Sequence, residues 1–250
     1  MEQLTNREIK RYEKHIMLPE IGIEGQIKIR NSSVAVVGAG GLGCPVLQYL
    51  TAAGVGKIGI VEYDMVDESN LQRQILYGSA DKGKLKSIIS RDRLNLMNDQ
   101  VEITLFNIRL DNKNSEKILQ GYDIIVDATD NYSTRYIISD ASVKLDRPMV
   151  HGAIYKFEGQ VSVFNYMNGP SYRCYNPEPE LKKGDPAPSE TGLLGVLPGI
   201  TGTYMATEVL KIITGTGNVL SGRVLVFNIL KNTSYTIEIS RNPDNFLITG

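Results

Sequence analysis

The chain has 250 residues, 42% hydrophobic and 22% charged, with a formal net charge of −1, which suits one large globular domain or two small ones. That charge balance lends no support to a nucleic-acid partner, and no apolar run reaches the ~18 residues of a membrane span. The only cysteines, Cys44 and Cys174, offer no disulfide framework, and residues 1–8 lack the apolar stretch of a signal peptide, so a cytoplasmic location is expected.

Thr5 and Glu8 read as a capping box opening a short helix with Ile9, Tyr12 and Ile16 on one face and Pro19 at its end. Its other face carries Lys10, Arg11 and Lys14, as a solvated helical arm over 1–30 would. Residues 33–37 form a valine-rich buried strand. A glycine-rich turn, a helix over 44–53 and a strand over 57–61 follow, which makes one βαβ unit. Further along, helices are predicted over 84–97 and 134–145, and strands over 101–106, 123–128, 149–153 and 160–165. Segment 175–192 holds Pro177, Pro179, Gly184, Pro186 and Pro188 and reads as a mobile loop. A helix over 202–213 and a hairpin of strands 224–229 and 235–239 close the chain. Alternating β and α in the first half implies parallel strands, and adjacent strands in the second half imply antiparallel ones. The expectation is a single α/β domain over 1–250, a Rossmann-like nucleotide-binding fold with a mixed sheet.

Gly38, Gly40 and Gly43 match G-x-G-x-x-G between a strand and a helix. The first glycine permits the tight turn, the second admits phosphate to the backbone, and the third permits close helix–strand packing, with free N–H groups at the helix start for the anion. Glu62, 24 residues after Gly38, is placed to accept ribose hydroxyls, with Asp64 the neighbouring candidate on the opposite side if the strand continues. Asn70, Arg73, Gln74 and Lys86 form a polar set downstream. Fixed cations of this kind stabilise the charge that spreads over phosphates during transfer. Asp130 and Asn131 follow a buried strand at the edge where open α/β sheets bind ligands. Asp130 is the magnesium candidate, since that ion takes a carboxylate together with phosphate oxygens. Asp130 or Asn131 can also cap the next helix, and Arg135 serves either the crevice or a local pair. His15 and His151 are far apart, and no nucleophilic triad or histidine-rich metal site emerges.

Taken together, Arg11-Tyr12, Gly38-Ala39-Gly40-Gly41-Leu42-Gly43, Ala53-Gly54-Val55-Gly56, Ser69-Asn70-Leu71-Gln72-Arg73-Gln74, Lys86 and Ala128-Thr129-Asp130-Asn131 resemble the MoeB/ThiF/HesA family, relatives of ubiquitin-activating enzymes. The resemblance covers nearly the whole chain and is most specific at the hexapeptide 69–74. It implies a homodimer that uses ATP to adenylate the C-terminal glycine of a small ubiquitin-like sulfur carrier ending in Gly-Gly, for molybdopterin or thiamin synthesis. It further implies that Gly41 lies against the phosphates, that Glu62 binds ribose where relatives usually have Asp, and that Asn70, Arg73 and Lys86 contact ATP. Asp130 would hold magnesium, and Lys14 would stand where relatives send an arginine into the partner subunit's site. Relatives carry two Cys-x-x-Cys zinc pairs. Here Ser171-Tyr172-Arg173-Cys174 replaces the first, and Asn245 and Ile248 stand where the second is expected, so no zinc site is predicted. The stretch Pro188-Ser189-Glu190-Thr191 lacks the cysteine that many relatives have before Gly192. Two other readings share the glycine turn: a nicotinamide-dependent oxidoreductase, and a nucleotide-binding scaffold without catalysis.

Overall fold

A computed structural model describes residues 3–177 and 192–248. Most of the predicted loop 175–192 lies outside the described residues. At its start, Tyr175 ends a short helix, Tyr172–Tyr175.

Eight strands form one sheet in the order β3-β2-β1-β4-β5-β6-β7-β8. They are β1 (Ser33–Val37), β2 (Lys57–Val61), β3 (Glu102–Phe106), β4 (Ile124–Asp127), β5 (Met149–Tyr155), β6 (Glu158–Phe164), β7 (Arg223–Asn228) and β8 (Thr233–Glu238). Neighbours from β3 to β5 run parallel, and those from β5 to β8 antiparallel, as the mixed pattern predicts. The valine-rich β1 is central because both faces of it are covered. Val34 and Val36 pack into one core, Ala35 and Val37 into the other.

The helices are α1 (Asn6–Arg11), α2 (Glu13–Ile16), α3 (Gly22–Asn31), α4 (Gly43–Ala53), α5 (Lys86–Met97), α6 (Ser115–Leu119), α7 (Tyr132–Lys144), α8 (Tyr172–Tyr175) and α9 (Val196–Thr214). The core with Val34 and Val36 is built from α4, α5 and α9, and the core with Ala35 and Val37 from α6 to α8. Strand order reverses beside β1: the chain runs outward through β2 and β3, then returns to β4 on the other side. The loops leaving β1 and β4 therefore diverge and open a crevice.

Three differences from the sequence reading have physical causes. The first helix breaks at Tyr12, whose backbone leaves helical geometry. Its buried ring lies against Gly54 and its hydroxyl accepts a hydrogen bond from Asn98 at 2.9 Å, while Ile9 stays exposed. Helix α5 begins two residues later than predicted because Leu85 is held extended by a bridge to Met65. Helix α9 begins at Val196, ahead of the predicted 202. Pro198 is tolerated in its first turn, and Gly202 permits close approach to α4, since a Cβ there would stand 2.5 Å from Leu42 O.

Candidate functional site

A cleft of about 370 Å³ opens at the switch point, lined by the glycine turn, the ends of β2 and β4, residues 72–74 and Lys86. Gly38 has φ +94°, and a Cβ there would lie 2.7 Å from Ala128 O. A Cβ on Gly43 would lie 2.0 Å from Gly38 O, so this glycine closes the turn against the helix. Gly40 and Gly41 line the cleft, whereas Gly43 sits behind it.

Glu62 is buried just past β2. One carboxylate oxygen accepts the Ala39 N–H at 2.9 Å, and the other accepts those of Tyr63 at 2.8 Å and Asp64 at 2.9 Å. This clamps Glu62 to the glycine turn, and the oxygen that accepts the Ala39 N–H keeps lone-pair capacity for a ribose hydroxyl. The predicted opposite orientation of Asp64 is corrected: alternation returns every second side chain to the same side, and Glu62 and Asp64, just past the end of β2 at Val61, both line the cleft. Asp64 also meets Lys86, Oδ2 to Nζ at 3.4 Å, and this lysine is buried at the first turn of α5.

The hexapeptide divides. Gln72, Arg73 and Gln74 line the cleft, whereas Ser69, Asn70 and Leu71 are not among the lining residues. Asn70 instead shapes the turn: its carbonyl accepts the N–H groups of Arg73 and Gln74, both at 3.0 Å. Ser69 O accepts from Arg73 Nη1 at 3.0 Å and so aims the guanidinium. Asp130 and Asn131 both line the cleft, but their side chains differ. Asn131 is the N-cap of α7, accepting Thr134 N–H at 2.9 Å. Asp130 is exposed and makes no hydrogen bond or ion pair among the described residues. Lys14 lies on α2, exposed, outside its own chain's cleft.

Behind this wall is a network that sequence reasoning missed. Asp127, fully buried at the end of β4, pairs through Oδ2 with His151 Nδ1 at 2.7 Å. Its Oδ1 accepts Thr129 N–H at 3.1 Å and the Thr129 hydroxyl at 2.5 Å. Burial pushes the Asp127 carboxyl up, but His151, Arg135 and Thr129 outweigh it and hold the group below the usual carboxylate range. Burial, aided by Arg135, pushes His151 below its ordinary value against the pull of Asp127. The pair is thus a carboxylate and a neutral imidazole that pin the turn leading to Asp130. The residues are 24 positions apart and meet only through β4–β5 pairing, Asp127 opposite His151, so no local pattern could reveal them.

The residues suit a polar, anionic ligand. Four buried side-chain atoms lack partners among the described residues: Thr51 Oγ1, Gln74 Oε1, Ser87 Oγ and Arg135 Nε. Two of them, on Gln74 and Arg135, belong to the cleft lining, where a nucleotide would supply an acceptor and donors. No group of three or more His, Cys, Asp or Glu side chains suited to a metal occurs among the described residues. A magnesium ion carried by phosphates needs only one or two carboxylates, which Asp130 satisfies. Cys44 is buried and its thiol is pushed up to about 12, chiefly by burial, so it is no nucleophile.

At the corner where relatives are expected to bind zinc, the backbone of Asn242 and Asn245 meets Ser171 and Cys174. The Cys174 sulfur accepts Asn242 N–H at 3.3 Å, Ser171 and Cys174 are 3.4 Å apart, and Ser171 donates to Asn245 O at 3.5 Å. Leu247 is 76% exposed there, and the Arg241 guanidinium covers the Phe246 ring at 3.6 Å. Hydrogen bonds and a cation–π contact tie this corner. Protein purified without added metal should carry well under one zinc per chain, and its melting temperature should not move with a strong chelator. One zinc per chain by elemental analysis would refute this, since such an ion contributes ~10–16 kcal/mol in small metal-folded peptides.

The chain belongs to the ThiF family, whose profile matches residues 12–246. It is 45% identical over 244 residues to the sulfur carrier protein adenylyltransferase of Thermus thermophilus, covering 96% of this chain and 90% of that one. It is 43% identical over 251 residues to the probable adenylyltransferase/sulfurtransferase MoeZ of Mycobacterium tuberculosis, covering 98% of this chain and 64% of that one. It spans about half the length of the MOCS3 adenylyltransferase and sulfurtransferase of Drosophila sechellia, covering 90% of this chain and 50% of that one at 45% identity. Among solved structures, E. coli MccB with ATP superposes with a TM-score of 0.84 at 18% identity, over 96% of this chain and 72% of that one. At that identity the likeness concerns the fold alone.

Proposed function

We infer that this chain is an ATP-dependent adenylyltransferase activating the C-terminal glycine of a small ubiquitin-like sulfur carrier of the molybdopterin or thiamin type. The observation that carries this reading is one cleft gathering the glycine turn, Arg73, Lys86 and Asp130 in a ThiF-family chain. The carrier class follows from the name of the Thermus relative, nearly all of which is matched.

The chemistry needs no protein nucleophile. A terminal carboxylate attacks the α-phosphorus, pyrophosphate leaves, and the residues' work is orientation and charge stabilisation. The glycine turn receives phosphate, Glu62 receives ribose, and Arg73 and Lys86 meet the negative charge. Asp130 would hold magnesium, which when bound neutralises charge on the leaving pyrophosphate. Neither histidine lines the cleft: His15 meets Gln26 at 3.1 Å and His151 is buried with Asp127. The oxidoreductase reading therefore finds no acid–base histidine here, and the scaffold reading leaves the buried Lys86 and the unpartnered Asp130 without a role.

The test is carrier-dependent exchange of labelled pyrophosphate into ATP. Exchange that requires a carrier ending in Gly-Gly is expected. Folded protein that shows none with carriers of both types, or that binds a dinucleotide in place of ATP, would reject the reading.

The active unit in this reading is a cytoplasmic homodimer in which Lys14 completes the partner's ATP site. Two observations support it: Lys14 is exposed and outside its own cleft, and Arg73 lines both the cleft and an adjoining apolar groove with Tyr49, Ile75, Val196 and Tyr204. Among the described residues no helix is long and apolar enough to cross a membrane. Mixing Lys14→Ala with Arg73→Ala subunits should restore up to about half of wild-type activity per mixed dimer, because one site then carries both lesions and the other none. Absence of rescue after verified subunit exchange would reject the crossing lysine.

A further inference from the structure

Arg135 is a cation with no ligand assigned to it in the proposed function. It lines the cleft and is only 5% exposed. It belongs to α7, which packs with α6 and α8, whereas α4, carrying the glycine turn, and α5, which begins at Lys86, lie on the other face of the sheet. The phosphate-facing groups and Arg135 thus approach the cleft from opposite walls. Arg135 Nη2 donates to Thr129 O at 3.2 Å, and its guanidinium stands 5.3 Å over the Tyr132 ring. Its Nε–H has no acceptor among the described residues. The nearby Asp127 balances its charge, but both Asp127 oxygens are engaged, one by His151 and the other by Thr129. A guanidinium so buried, with a donor unsatisfied and no carboxylate in contact, is built for an anion that arrives from outside.

We propose that Arg135 binds the carboxylate of the carrier's C-terminal glycine and holds it for attack on the α-phosphorus. This rests on the adenylyltransferase reading. Displacement at phosphorus is in line, so the nucleophile enters opposite the leaving group. If pyrophosphate departs toward Arg73 and Lys86, the carboxylate enters from the α7 wall. One carboxylate oxygen forms the bond to the α-phosphorus, the bond to the bridging oxygen breaks, and pyrophosphate leaves with that electron pair. No proton moves. The guanidinium takes the other oxygen and leaves the attacking one free.

The test uses two probes: a carrier ending in Gly-Gly, and the same carrier with its terminal carboxylate converted to the amide. Binding is measured with the full chain and a non-hydrolysable ATP analogue. Wild type should prefer the carboxylate by ~10–100-fold, the strength of a charge-assisted hydrogen bond. Arg135→Met should bind both carriers alike. Arg135→Lys, which keeps a positive charge beside Asp127 and safeguards folding, should lose most of the preference. Analogue affinity should fall far less than carrier affinity in both variants. A preference retained in either folded variant overturns the proposal, and so does an equal loss of analogue and carrier affinity, which would make Arg135 a phosphate ligand. If wild type binds neither carrier, the adenylyltransferase reading falls and takes this assignment with it.

Discussion

Arg73→Ala and Asp130→Ala should each reduce carrier-dependent pyrophosphate exchange by ~10²–10³-fold, the usual effect of deleting one preorganised charge contact, while both variants melt near the wild-type temperature. The separation follows from how each side chain is held. Asp130 is exposed and unpartnered, so its removal orphans nothing. Truncating such a surface group shifts stability by about 0.5 kcal/mol or less. Arg73 is half-buried and donates to the Ser69 carbonyl, an acceptor that stays open to water. Both residues line the cleft, so the loss falls on the reaction. Calorimetry beside the exchange assay checks the pair. Near-normal exchange by either folded variant would remove that residue from the site.

Two glycine substitutions should separate fold from ligand. In Gly43→Ala the new methyl would stand 2.0 Å from Gly38 O and 2.9 Å from Gly38 C. Both atoms are backbone and cannot swing aside, so the turn and α4 must part. Overpacking of this kind costs about 1–3 kcal/mol, enough to lower the melting temperature measurably in a domain of this size, and nucleotide affinity should fall with it. In Gly40→Ala the methyl meets only the Gln74 side-chain amide, at 3.5 Å, so the fold should be kept. Gly40 nevertheless lines the cleft, where phosphate has to approach the backbone. That variant should lose at least ~10-fold in ATP-analogue affinity, about 1.4 kcal/mol, with little change in melting. Binding titrations and thermal melts on both proteins decide it. Intact affinity in Gly40→Ala would move the phosphates away from this turn.

Much of the architecture was legible because its signals are local. The valine run of β1, the glycine turn and the capping box at Thr5 each depend on neighbours within a few residues, and β1, β2 and the Thr5 cap lie where they were predicted. Short elements with weak patterns were missed. Helix α6 spans five residues, too few for a periodic signal, and packs Ile118 and Leu119 into the core with Ala35 and Val37. The candidate site was partly legible for the same reason. Gly38, Gly40, Glu62, Arg73, Lys86 and Asp130 are strand-end or turn residues, and topology sends strand ends to one edge. Asn70 shows the limit: the hexapeptide motif singles it out, yet its contacts to Arg73 and Gln74 are made by its backbone.

By itself the sequence determined the α/β class, the change from parallel to antiparallel strands and the residue types that could serve a nucleotide, since periodicity and short-range sterics write these into adjacent positions, and its motifs carried the resemblance to the family. Only the tertiary structure decided which of those residues share the cleft. It also decided that Asn242 and Asn245 answer Ser171 and Cys174, that Asp127 is locked to His151, and that Arg135 is buried on the wall opposite the phosphate set. Each of these depends on pairing between segments distant in the chain. Burial, hydrogen-bond satisfaction and charge compensation belong to the assembled environment of a residue, and that environment exists only once the sheet has closed.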